Sequence, residues 1–69
     1  LKMANRVALR TNVHEDNSTT FDVLLSDNED GDNVIEFNPE SEQKARALIS
    51  VLVQNGCQEQ AEFTNRYDA

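Results

Sequence analysis

One stretch of the chain has a helical rhythm that nothing else in it shares, and this limits the fold more than any other feature. Ala45, Leu48, Ile49, Leu52 and Val53 recur at the spacing that places apolar side chains on a single stripe of an α-helix. Its start is signalled by Asn38 as a cap and Pro39 in the first helical position, where the missing N–H costs nothing. Glu40 and Glu42 suit the positive end of the helix dipole, and they pair at i,i+4 with Lys44 and Arg46. Gly56 supplies the closing residue, with Cys57 following it as a small apolar contact. The spacing therefore predicts one amphipathic helix over 39–55, which needs an apolar surface to lie on.

The segments before it supply that surface. Val7, Leu9, Thr11 and Val13 alternate with Arg6, Ala8, Arg10, Asn12 and His14, a period of two that marks a half-buried strand. After the turn residues Glu15-Asp16-Asn17-Ser18, a second strand turns Thr19, Phe21, Val23 and Leu25 inward and Thr20, Asp22, Leu24 and Ser26 outward. Asp27-Asn28-Glu29-Asp30-Gly31-Asp32-Asn33 reads as a polar reversal, and Val34-Ile35-Glu36-Phe37 as a third strand with Ile35 and Phe37 inward. The expected fold is one α+β domain spanning 1–69: a three-stranded antiparallel meander with one amphipathic helix packed on one face. Its expected core is Val7, Leu9, Val13, Phe21, Val23, Leu25, Ile35, Phe37, Ala45, Leu48, Ile49, Leu52 and Val53. For 58–69 two readings stand. Ala61, Phe63, Asn65 and Tyr67 share the parity of a fourth edge strand, and a short helix over 58–66 fits nearly as well.

A domain of this size buries only about 60% of the surface its unfolded chain exposes. Its single cysteine, Cys57, allows neither an internal disulfide nor a thiolate zinc site, and it favours a reducing, cytoplasmic setting. No apolar run approaches the roughly 20 residues that cross a bilayer, so no membrane partner is expected.

The charge is segregated. Between Arg10 and Lys44 lie Glu15, Asp16, Asp22, Asp27, Glu29, Asp30, Asp32, Glu36, Glu40 and Glu42, with no lysine or arginine among them. A net charge of −7 argues against direct binding to nucleic acid or an anionic membrane. Such an excess also keeps a small protein soluble, which is the plain alternative to a specific role.

Catalysis and metal binding have little to stand on. With Gly31 at the sixth position of a calcium loop, Ser26 would occupy the first position and Phe37 the twelfth, and both are wrong for the ion. His14 and Cys57 are the available base and nucleophile, but a cysteine at a helix C-terminus meets the dipole end that disfavours a thiolate. The two glycines, Gly31 and Gly56, build no phosphate-cradling loop. A non-enzyme without cofactor or metal is expected.

The order of an acidic hairpin, the strand Asp32-Asn33-Val34-Ile35-Glu36, the helix start Pro39-Glu40-Ser41-Glu42 and a helix end with Ile49-Ser50 and Asn55-Gly56 resembles small acidic phage anti-CRISPR inhibitors over about residues 20–56. The inhibitor nearest in layout carries a further N-terminal helix and more acidic residues after the main one, where this chain has Glu59, Glu62 and Asp68. The resemblance implies a DNA mimic whose carboxylates occupy the nucleic-acid-binding groove of a basic protein. On this reading the partner-binding residues are Asp22, Asp27, Glu29, Asp30, Asp32 and Glu36, and the site is the host cytoplasm. The competing reading is a homo-oligomeric structural or regulatory module. It would use a sheet edge or the Val51 side of the helix, with Arg6 and Arg10 meeting the acids of a second copy.

Overall fold

The computed structural model describes residues 5–27 and 34–67. In chain order the elements are β1 (Arg6–Val13), β2 (Thr19–Ser26), β3 (Val34–Phe37), α1 (Glu42–Gln54), β4 (Gln58–Glu59) and β5 (Phe63–Arg66). They form an α+β fold, a mixed sheet of five strands with one helix packed against it.

The β1–β2 hairpin turns where its side chains favour turning. Asp16 Oδ1 accepts both the Ser18 N–H (3.0 Å) and the Ser18 hydroxyl (2.6 Å), and Asn17 takes a positive φ of 67°. This closes Val13 onto Thr19 and sets the register along the hairpin: Leu9 lies opposite Val23, and Arg10 opposite Asp22. Val7, Leu9, Phe21, Val23 and Leu25 consequently share the face that receives α1, as their alternation predicts. β3 pairs antiparallel with β2, completing the expected meander.

The C-terminal segment is the fourth edge strand rather than a second helix. It runs parallel to β1 in two pieces: β4 beside Arg6 and Val7, and β5 beside Arg10 to Val13. A parallel neighbour needs a crossover, and α1 provides it by carrying the chain from the β3 edge to the opposite edge.

The helix begins later than its sequence signals suggest. Ser41 is the cap, accepting the Lys44 N–H on its hydroxyl at 3.2 Å, so Asn38 and Pro39 lie outside the helix. Asn38 is drawn away because its side chain donates to Asp22 and Glu36. The C-terminus closes as expected: Cys57 N–H bonds to Leu52 O and Gly56 N–H to Val53 O, both at 3.0 Å. Gly56 adopts a φ of 104°, which only glycine enters without strain.

The core is smaller than the alternation implies. Val7, Leu9, Val23, Ala45 and Ile49 are buried, with Phe21, Leu25, Leu48, Leu52 and Cys57 packed around them. Ile35, at 57% exposure, Phe37, at 36%, and Val53 are exposed, and Val13 is half-buried. Ile35 and Phe37 have the parity of the core face, aligned with Leu25 and Val23. They lack a cover because α1 packs over β1, β2 and β4 and does not reach β3.

Candidate protein-binding surface

The face of the sheet away from α1 carries the polar residues of the strands, and its centre is a closed network. The Arg10 guanidinium donates to Asp22 Oδ2 through Nε (3.0 Å) and Nη2 (2.8 Å), and Nη2 also reaches Glu36 Oε1 at 2.8 Å. Asn12 donates to Asp22 Oδ2 at 2.7 Å. Asn38 donates to Asp22 Oδ1 at 2.8 Å and to Glu36 Oε2 at 3.0 Å. One cation and two amides thus hold two carboxylates across three strands.

Burial raises the stakes of this arrangement. Asn12 is 3% exposed and Asp22 7%, although both stand on the outward parity. For Asp22, burial opposes ionisation. The hydrogen bonds from Asn12, Arg10 and Asn38, with the Arg10 charge, outweigh it and hold the carboxyl below its ordinary range. The Asp22 hydrogen bond raises the Arg10 guanidinium above its usual value against burial, with help from Glu36.

The six residues expected to face a partner therefore separate. Asp22 lies buried in the network, and Glu36 lies at its rim with Arg10 and Asn38 on its two oxygens. Asp27 follows the end of β2 half-buried, and its carbonyl accepts from Arg6 Nη2 at 3.3 Å. Glu29, Asp30 and Asp32 lie outside the described residues, in the connection from β2 to β3. Arg10 is committed within its own chain, which removes it from the contact with a second copy considered above.

Two cations of the helix are likewise engaged within the chain. Lys44 lies 3.3 Å from Glu40. Arg46 Nε donates to Glu42 at 2.9 Å, and its two terminal nitrogens reach the Glu62 oxygens at 3.2 Å each. These bonds raise Arg46 above and pull Glu62 below their ordinary values, and they clamp the β4–β5 link to the helix. Beneath the clamp, Leu9, Ile49, Val53, Ser50, Glu59 and Gln60 line a shallow groove of about 230 Å³.

Sequence reasoning missed Asn12 and Asn38 as partners of Asp22, and Tyr67 as the partner of His14. The two rings stack 5.1 Å apart and 7° from parallel. His14 Nε2 also lies 2.8 Å from Thr20 Oγ1. The Arg10–Asp22 contact was within reach of the sequence, because a turn at 15–18 already sets those two residues opposite one another.

Among the described residues no group of three His, Cys, Asp or Glu side chains could hold a metal ion. No helix among them is long and apolar enough to cross a membrane. No protein-family model, no curated protein and no solved structure matches the chain.

Proposed function

We propose that this protein is a small binding inhibitor that blocks a basic, nucleic-acid-binding partner by presenting carboxylates where the partner would hold phosphates. One observation carries the reading. The chain carries a net charge of −7, and Arg10, Lys44 and Arg46 are each held by carboxylates of their own chain, which favours a cationic partner. The role passes from the strand carboxylates to the β2–β3 connection. Asp22 belongs to the scaffold, Glu36 borders it, and Glu29, Asp30 and Asp32 provide the charge a cationic groove would meet.

The resemblance to anti-CRISPR inhibitors selects the first target to try, a purified RNA-guided nuclease loaded with its guide. DNA binding by that nuclease should fall as the protein is added, and added salt should weaken the inhibition steeply. Reversing charge at Glu29, Asp30 and Asp32 should relieve inhibition far more than reversing it at Glu59 and Glu62. Inhibition indifferent to salt and to both sets of changes would remove the electrostatic reading.

A further inference from the structure

The chain's single histidine and single tyrosine meet at the surface, outside the hydrophobic core. Their rings stack with centroids 5.1 Å apart and planes within 7° of parallel. The sheet brings them together. Tyr67 follows directly on β5, and its N–H bonds to Val13 O at 2.9 Å, which sets its ring beside His14. One ring face suffices to hold the end of β5 against β1. The other face is left over, because β5 pairs with β1 alone, no described strand lies beyond it, and Tyr67 is 52% exposed.

The β1–β2 turn stands next to this stack. Glu15, Asp16, Ser18 and Thr20 line one broad concavity of about 810 Å³ together with His14 and Tyr67. Several of these side chains are fixed by their own contacts. Asp16 Oδ1 accepts from the Ser18 N–H and hydroxyl, and His14 Nε2 lies 2.8 Å from Thr20 Oγ1. The Ser18 bonds hold the Asp16 carboxyl below its ordinary range, so its charge persists. Glu15 and Asp16 are exposed, and among the described residues no cation is ion-paired with either. The concavity thus has an aromatic wall and two carboxylates without a counterion of their own chain.

We infer that this concavity docks one arginine of the cationic partner, its guanidinium stacked on the outward face of Tyr67 and donating to the carboxylates of Glu15 and Asp16. Charge complementarity selects a cation, and the ring selects which one. A guanidinium is planar, weakly hydrated and stacks on aromatic faces, whereas an ammonium is a compact, strongly hydrated point charge. The fixed turn and the stacked rings present this surface in advance, which lowers the ordering cost of binding. The inference rests on the proposed function for the protein that carries the arginine; the preference for guanidinium rests on the concavity itself.

The test titrates the isotope-labelled full chain with the capped tripeptide Gly-Arg-Gly at neutral pH and low salt. NMR shifts should saturate and centre on Glu15, Asp16, Ser18 and the rings of His14 and Tyr67. With one tyrosine and no tryptophan in the chain, intrinsic fluorescence reads the same site independently. The citrulline tripeptide, equal in shape but uncharged, should bind the parent protein at least about tenfold more weakly. Tyr67→Leu should weaken binding of the arginine peptide by about two- to fivefold, the range an exposed cation–π contact supplies. The double variant Glu15→Gln, Asp16→Asn should weaken it further, and asparagine still accepts the Ser18 bonds that close the turn. Glu59→Gln should bind as the parent does.

Equal binding of a Gly-Lys-Gly peptide would overturn the guanidinium site and leave the acidic inhibitor reading standing. Shifts spread over the acidic residues without saturation, or an equal loss in Glu59→Gln, would reduce the contact to diffuse attraction and overturn it too. Loss of peptide binding in the double variant with nuclease inhibition unchanged would overturn the partner as the source of the arginine. Peptide binding at the site with no inhibition of the nuclease would count against the proposed function and support the site by itself.

Discussion

Arg10 grips Asp22 through two nitrogens on a single carboxylate oxygen, at 3.0 and 2.8 Å, from directly across the β1–β2 ladder. The carboxylate is nearly buried, and the guanidinium keeps 23% of its side chain in solvent. The pair belongs to the frame of the molecule, and its removal should be felt in stability before it is felt in binding.

Arg10→Met should leave a buried carboxylate with only amide donors, at a cost of about 3 kcal/mol. Glu36→Gln, at the exposed end of the same network, should cost less than about 1 kcal/mol. Urea unfolding of both variants measures the difference, and equal losses would show that the network is not centred on Asp22.

The same carboxyl predicts how stability depends on pH. Its folded pKa lies below the unfolded value of about 3.9. Its contribution is therefore complete above that value and is lost as pH falls through the lower folded one. Asp16, held low by Ser18, and Glu62, held low by Arg46, act in the same direction. The stability gap between the parent and Asp22→Asn should be wide at neutral pH and narrow in strong acid. A gap that stays constant across a urea–pH series would refute this.

The core boundary can be checked residue by residue. Ile49→Ala should cost about 2–4 kcal/mol, because it opens a cavity beneath the helix. Ile35→Ala should change stability by less than about 0.5 kcal/mol, since that side chain stands largely in solvent. Denaturant midpoints that fall equally for the two would place β3 under cover after all.

At the end of α1, Gly56→Ala should lose about 1 kcal/mol. The space around a new Cβ is open, so the cost comes from the positive φ alone. Gly56→Asn should recover part of the loss because asparagine tolerates that backbone region better. Thermal melts of the two variants decide it.

Arg46→Gln should free the β4–β5 link with little change in global unfolding, since the clamp lies on the surface. Hydrogen exchange should accelerate at Gln58 and Gln60, whose amides bond to Asn5 and Val7. The Gly56 and Cys57 amides should keep their protection, because the helix cap holds them. Uniform acceleration across all four would mean that no local opening occurs.

Much of this architecture follows from local rules. The alternation in 6–13 and 19–26, with a turn at 15–18, specifies both the hairpin and its register, because shifting either strand by one residue would put Val7, Leu9 and Val23 in water. The stripe from Ala45 to Ile49 and the glycine after Asn55 specify the helix body and its end. The charge segregation is likewise a property of the chain itself.

What required the tertiary structure was coverage and competition. One helix of 13 residues cannot shield every strand, and its place over β1, β2 and β4 left Ile35 and Phe37 exposed despite their apolar parity. Asn38 had two uses open to it, and the buried Asp22 claimed it, so Ser41 became the cap. The parity of Asp22 pointed outward, yet three donors gathered from β1 and the β3–α1 connection enclosed it. The segment 58–67 had the period of a strand without an address until the crossover laid it beside β1. Periodicity tells a side chain which way to point, but only the packed fold decides whether anything stands there to meet it.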